Sequence, residues 1–242
     1  MVRTAKAPRV ARATGLALGA VVAAVRRRRP RPLHPTGTVL TGTLRLDVGD
    51  APGAAALGAP ANHQVTVRVS RAAGLPAPLP DVFGLAVRWT EDDQSQAILL
   101  SATGLGRVTR FLLAPRFRPL GGGFGTLMPF RDLDGRPVLL AAAPADRRPR
   151  GRHSTSTTAL VGTDLVLLSA HPGERWRRLG TLHCGPAVAG DAPRVDPVEQ
   201  VPGSLATYPW AAALRAPAYR AARTARTRRT VRTTTRRPEE QD

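Results

Sequence analysis

Gln64-Val65-Thr66-Val67-Arg68-Val69-Ser70 alternates three valines with threonine, arginine and serine. A period of two sends these sets to opposite faces of a β-strand. On either side of this stretch, further β-like runs recur: Thr38–Leu46, Gly84–Thr90, Gln96–Ala102, Arg107–Ala114, Arg136–Ala142, Ala159–Ser169 and Arg175–Leu182. Glycine, proline and aspartate mark the breaks at Gly49–Pro60, Gly74–Pro80, Pro115–Gly125 and Pro144–Gly151. Eight strands at this spacing predict a barrel or a sandwich. An eight-stranded barrel closes its own edges and leaves an interior just wide enough for side chains or one small ligand. The Ala/Arg-rich segment Tyr208–Arg232 predicts a C-terminal helix, with Pro217 as an internal break or a helix start. The fold class is therefore mainly β with flanking helices (α+β). The expectation is an eight-stranded barrel or sandwich with N- and C-terminal helices. The chain divides into a basic arm over 1–30, a barrel domain with its C-terminal helix over 31–226, and a basic disordered tail over 227–242.

Composition narrows the chemistry. The chain has 242 residues, 42% of them hydrophobic and only 4% aromatic, so it can bury a core made mostly of Val, Leu and Ala. A single cysteine, Cys184, excludes an intrachain disulfide and any cysteine-rich metal cluster. The net charge of +19 sits at the ends: residues 1–33 hold nine basic and no acidic residues, and 215–237 hold nine more. Such arms attract phosphates of nucleic acid or anionic lipid without sequence selectivity, or else are solvated tails. No helix-turn-helix, zinc-finger or aromatic-rich RNA-binding pattern accompanies them. Thr14–Val25 is an apolar run of twelve residues before Arg26–Arg29. It is too short to span a bilayer, and the four arginines argue against a signal peptide. A short helix follows as the expectation, in a cytoplasmic protein that can sit at a membrane surface.

Three segments carry a more specific pattern: Arg31-Pro-Leu-His34-Pro-Thr-Gly37, Val67-Arg68-Val69-Ser70, and Asp81-Val-Phe-Gly84-Leu-Ala-Val-Arg88-Trp89. Asp196-Pro197, Val201-Pro202-Gly203, Arg215 and Tyr219 follow in order. This order resembles the haem-binding barrel of the catalase family. That family has an Arg three residues before the distal His, a V-R-F-S strand, a D-x-x-G-F-A strand, and N-P, V-P-G and R-x-x-x-Y toward the C-terminus. The resemblance implies an eight-stranded antiparallel catalase-like barrel with N- and C-terminal helices, and haem b as cofactor, with Tyr219 as the iron ligand and Arg215 one helical turn away favouring its phenolate. It implies His34 as the distal acid–base, oriented by Ser70. Arg31 and Arg68, with Arg226 as a further candidate, are implied partners of the haem propionates, a role that suits the planar guanidinium.

The departures bear on activity. Seventeen positions past the D-x-x-G glycine, where catalases carry a distal Asn, this chain has Ser101. A hydroxyl still donates a hydrogen bond but is shorter, which favours peroxidase-type chemistry on hydrogen peroxide or an organic hydroperoxide over fast dismutation. Pro217 stands between Arg215 and Tyr219 where the family motif is helical. Simpler readings stand beside these. His34 before Pro35 can be a turn residue, Tyr219 a packing residue, and Arg68 and Ser70 ordinary strand positions. Adjacent His183 and Cys184 must face opposite ways and cannot share a site. Asn62–His63 falls in a Gly/Ala-rich loop without a D-x-H partner, and His153 and His171 fall in polar turns that predict exposure. Gly121–Gly125 reads as a mobile loop. Three functions are thus in view. The first is a small catalase-like haem enzyme, able to form a homo-oligomer. The second is a non-catalytic catalase-fold binding module that meets polyanions or anionic membrane through its termini. The third, a phosphodiesterase, is a label carried by some small relatives and has no residues here to support it.

Overall fold

A computed structural model describes residues 36–47, 49–75, 78–146, 148–190, 195 and 200–213. The expected helix over Thr14–Val25 lies outside them, as does all of the expected C-terminal helix beyond 213. Residues 209–213 are helical. Eight antiparallel strands form the wall: β1 (Thr36–Leu46), β2 (Ala61–Arg71), β3 (Phe83–Glu91), β4 (Gln94–Ala102), β5 (Phe124–Gly125), β7 (Pro137–Pro144), β8 (Thr163–Ala170) and β9 (Arg177–Val188). They pair in the order β5-β4-β3-β2-β1-β9-β8, and β7 joins both β5 and β8, so the sheet closes on itself. Two short strands, β6 (Phe130–Arg131) and β10 (Ala206–Thr207), extend β7 outside this ring.

Alternation decides which side chains fill the barrel. On β2, Val65, Val67 and Val69 point inward and Thr66, Arg68 and Ser70 outward, as the period of two requires. The register carries that choice across the wall: Val67 lies opposite Val87 and Val69 opposite Leu85, and these face Ile98 and Leu100. Leu40, Leu44, Phe83, Leu140, Leu165 and Leu182 complete a core with essentially no exposure. The interior is therefore packed with side chains and has no room for a ligand. One helical turn, α1 (Ala54–Leu57), closes one end with Leu57. At the other, the 3-10 turn Thr157–Leu160 inserts Leu160, and Thr157 hydrogen-bonds Thr38 at 2.5 Å.

Three expectations are corrected. Arg107–Ala114 is not a strand. Gly106 N–H donates to Thr109 Oγ1 at 3.0 Å and the Arg110 N–H to the Gly106 carbonyl at 3.1 Å, curling the chain into a 3-10 turn at Thr109–Phe111. Arg110 is buried there with its guanidinium 4.4 Å from the Trp176 ring centre. The fifth barrel strand is instead Phe124–Gly125, inside the glycine-rich run read as a loop. Asn62–His63 likewise belongs to β2 rather than to a loop.

The β2–β3 connection is held by Asp81. Its carboxylate accepts N–H groups of Ala73 (2.9 Å), Val82 (2.8 Å) and Leu75 (3.0 Å) and lies 3.5 Å from Arg71 Nε. Arg71 also donates to the Leu79 carbonyl at 2.7 Å. Because the core fills the barrel, Leu140→Ala should cost about 2–5 kcal/mol, while outward-facing Gln64→Ala should stay within about 0.5 kcal/mol. Denaturant unfolding midpoints of the two variants check both.

Candidate functional site

The outer wall carries an uninterrupted transverse row of small residues. Gly37 on β1 lies opposite Ser70 on β2, Ser70 opposite Gly84 on β3, Gly84 opposite Ser101 on β4, and Ser101 opposite Gly125 on β5. All five face away from the core, since their inward neighbours are Val69, Leu85, Leu100 and Phe124. No side chain in the row is larger than a hydroxymethyl group. With strands about 4.8 Å apart, the hydroxyls of Ser70 and Ser101 stand about 10 Å from each other across bare Gly84. Ser70 is only 4% exposed although it faces outward.

The next row holds Arg68, opposite Val39 on one side and Ala86 on the other. Gly37 explains how the arginine lies there. A Cβ at Gly37 would come within 2.7 Å of the Val69 carbonyl and 3.3 Å of the Arg68 guanidinium carbon. Only glycine lets that side chain cross β1. Neither Arg68 nor Ser70 is without an interaction partner. The structure thus brings Arg68, Ser70 and Ser101 to one face, two hydroxyls and one cation over a flat wall. Arg31, His34, Arg215, Tyr219 and Arg226 lie outside the described residues.

A buried cation escaped the sequence reading. Arg116 stacks 4.4 Å over the Phe124 ring, and its Nη1 donates to the Gly123 carbonyl at 3.0 Å. Its Nε and Nη2 are buried without hydrogen-bond partners. Burial pulls its pKa down to about 10, so it stays charged at neutral pH. Arg116 pairs through its backbone with Asp81, and Gly122 leaves room for it, since a Cβ there would sit 2.8 Å from Nη1. The Pro-Arg-Phe-Arg-Pro context has no periodicity to mark one arginine as buried.

The remaining histidines are dispersed. His183 faces outward and bonds Asp164 at 2.7 Å, whereas Cys184 is fully buried, so the pair is split between faces as alternation requires. Burial pushes the Cys184 thiol up to about 12, with Asp164 adding to the shift. His63 packs against Trp89, ring centres 5.7 Å apart. His153 is exposed, 3.3 Å from Arg118 Nη1, while His171 is half-buried with Nδ1 2.8 Å from the Pro137 carbonyl. Among the described residues, no three His, Cys, Asp or Glu side chains group as metal ligands. None of the described helices is long and apolar enough to cross a membrane.

No family model matches the chain, and no curated protein matches it. Among solved structures, a bacterial catalase is similar, with a TM-score of 0.53 at 14% identity over 87% of this chain. The match spans 60% of the catalase chain. At that identity the likeness is one of fold: a catalase-like antiparallel barrel. Cys184 should resist a thiol-specific alkylating reagent in the native protein and react in full in denaturant; its unfolded pKa lies below the folded one, so unfolding exposes the thiolate near pH 9. Mass spectrometry of the alkylated chain reads the result.

Proposed function

We propose that the chain is a small haem-binding protein of catalase-like fold that acts on hydrogen peroxide or an organic hydroperoxide. The observation that carries this reading is the row Gly37–Ser70–Gly84–Ser101–Gly125, with Arg68 beside it. A planar apolar macrocycle needs a wall free of protruding side chains, and its propionates need a nearby guanidinium. The outer row supplies the small side chains and Arg68 the guanidinium, whereas the filled interior supplies neither. Because Ser70, Gly84 and Gly125 are buried although they face outward, the cofactor would lie between the outer face of the barrel and the chain that covers it.

Haem b, when bound, supplies the redox chemistry of peroxide cleavage. The chain's own residues bind it and handle protons. His34 would take a proton from one peroxide oxygen and return it to the leaving oxygen. Ser70 would orient the imidazole of His34, and the Ser101 hydroxyl would donate a hydrogen bond toward the peroxide. Arg31 and Arg68 would hold the propionates, with Arg226 as a third candidate. Tyr219 would supply an anionic oxygen ligand for ferric iron, its phenolate favoured by Arg215. A serine hydroxyl reaches less far than an Asn amide, so slow peroxidase-type turnover is the expected activity.

The visible absorption spectrum of protein expressed with ample haem tests the reading. The expected result is a Soret band with high-spin ferric tyrosinate features that change in Tyr219→Phe. In haem-loaded protein, His34→Ala should lower peroxide turnover by about 100-fold or more. A colourless chain that cannot be reconstituted contradicts the proposal, as does turnover unchanged by His34→Ala.

A further inference from the structure

Beyond any cofactor, the two ends of the barrel differ in charge balance. Three connections meet where β2, β4 and β7 finish: the β2–β3 turn, the segment 113–121, and the segment 145–162. Arg71 links the first to the third by donating to the Leu79 carbonyl at 2.7 Å and the Thr155 carbonyl at 3.4 Å. Asp81 and Arg116 exchange backbone hydrogen bonds at 3.0 Å, and Arg118 meets His153 at 3.3 Å, joining the second to both. These loops therefore form one surface.

That surface exposes Arg118, Arg148, Arg150 and Arg152. The acids in its described residues are Asp81, which is buried and satisfied by three N–H groups, and Asp146, which accepts the Arg148 N–H at 2.9 Å. Large apolar side chains stand out among the arginines: Phe117 at 56% exposure, Leu79 at 48% and Leu75 at 36%. The opposite end balances its charges, with Arg45, Arg136, Arg177 and Arg178 each paired to an acid there, and it also exposes Leu133. Its tight turns carry Asp92 and Asp93 between β3 and β4, and Asp132 and Asp134 between β6 and β7.

We infer that the end formed by the β2–β3 turn, 113–121 and 145–162 docks onto an anionic phospholipid surface, with Leu75, Leu79 and Phe117 entering the headgroup boundary and the arginines binding lipid phosphate. Charge complementarity selects the anionic surface, and the excess of unpaired arginine at this end over the balanced far end turns the barrel so that this end approaches first. The apolar tips select lipid over nucleic acid. Leucine has no π-face on which a base can stack, but it partitions readily into a headgroup boundary. Association through the basic terminal arms alone would leave these loops in water, which makes the inference separable from a simple electrostatic tether.

The test uses the full chain carrying Pro115→Cys, labelled with a fluorophore whose emission shifts to the blue on leaving water. Buried Cys184 stays unlabelled in the native protein. Vesicles of phosphatidylcholine with phosphatidylserine should shift and brighten the label, while phosphatidylcholine alone and duplex DNA should not. The same label at Asp134→Cys, on the opposite end, should remain in water. Replacing Arg118, Arg150 and Arg152 by Ser should weaken vesicle affinity by about fivefold per arginine. The inference is overturned by failure to bind vesicles, by binding that leaves the Pro115→Cys label unshifted, by equal shifts at both ends, or by the same response to DNA.

Discussion

Closure of the sheet is the constraint on which everything else rests. Once β7 pairs with β8 as well as β5, each strand has one face turned to a single filled interior and one turned out. A slip of one residue between neighbours would exchange the two faces. Val67, Leu85, Ile98 and Leu100 lock the register from inside because none can be turned to water without losing its burial. The outward residues then have no freedom of placement. Ser70, Gly84 and Ser101 form a line because the valines and leucines beside them must point inward.

This dependence explains how much could be read in advance. The β class, most strand positions and the placing of Arg68 and Ser70 on the face opposite the valines follow from alternation, and so does the separation of His183 from Cys184, whereas the choice of a barrel over a sandwich rested on motif order. Such patterns survive because each residue needs only its immediate neighbours to declare its face. Arg107–Ala114 misled for the same reason in reverse. Val108, Leu112 and Leu113 look like strand residues, but the Thr109 hydroxyl turns the chain locally, and Gly104 and Gly106 leave the space into which the Thr109 side chain folds back. Phe124–Gly125 hid because a two-residue strand flanked by glycines has no period to detect. Arg116 and Arg110 were illegible as buried cations, since only tertiary packing brings Phe124 and Trp176 beneath them. The site residues before 36 and beyond 213 rest on the resemblance of motif order alone.

The polar and charged groups divide into two kinds. Asp81 with Arg71, and Arg110 under Trp176, fasten connections to the barrel and are satisfied largely by backbone groups. Replacing one partner of the Asp81–Arg71 pair would strand the other in a buried setting, which is why such residues serve the scaffold. Arg68, Ser70 and Ser101 stand instead on a row of small residues on the outer face, and Arg118, Arg148, Arg150 and Arg152 gather at one end with few acids beside them. The first group holds shape, and the second faces outward from it.

The central claim is that the bare outer row is the face against which haem lies. Titration of the apoprotein with haemin, followed at the Soret band, tests it directly when Ser101→Leu is run beside the parent chain. An isobutyl group there would stand on the row without entering the core. The account predicts one-to-one uptake by the parent and at least about tenfold weaker uptake by Ser101→Leu, with the unfolding free energy changed by no more than about 0.5 kcal/mol, as for an outward substitution. Equal uptake by both chains, or none by the parent, would contradict it.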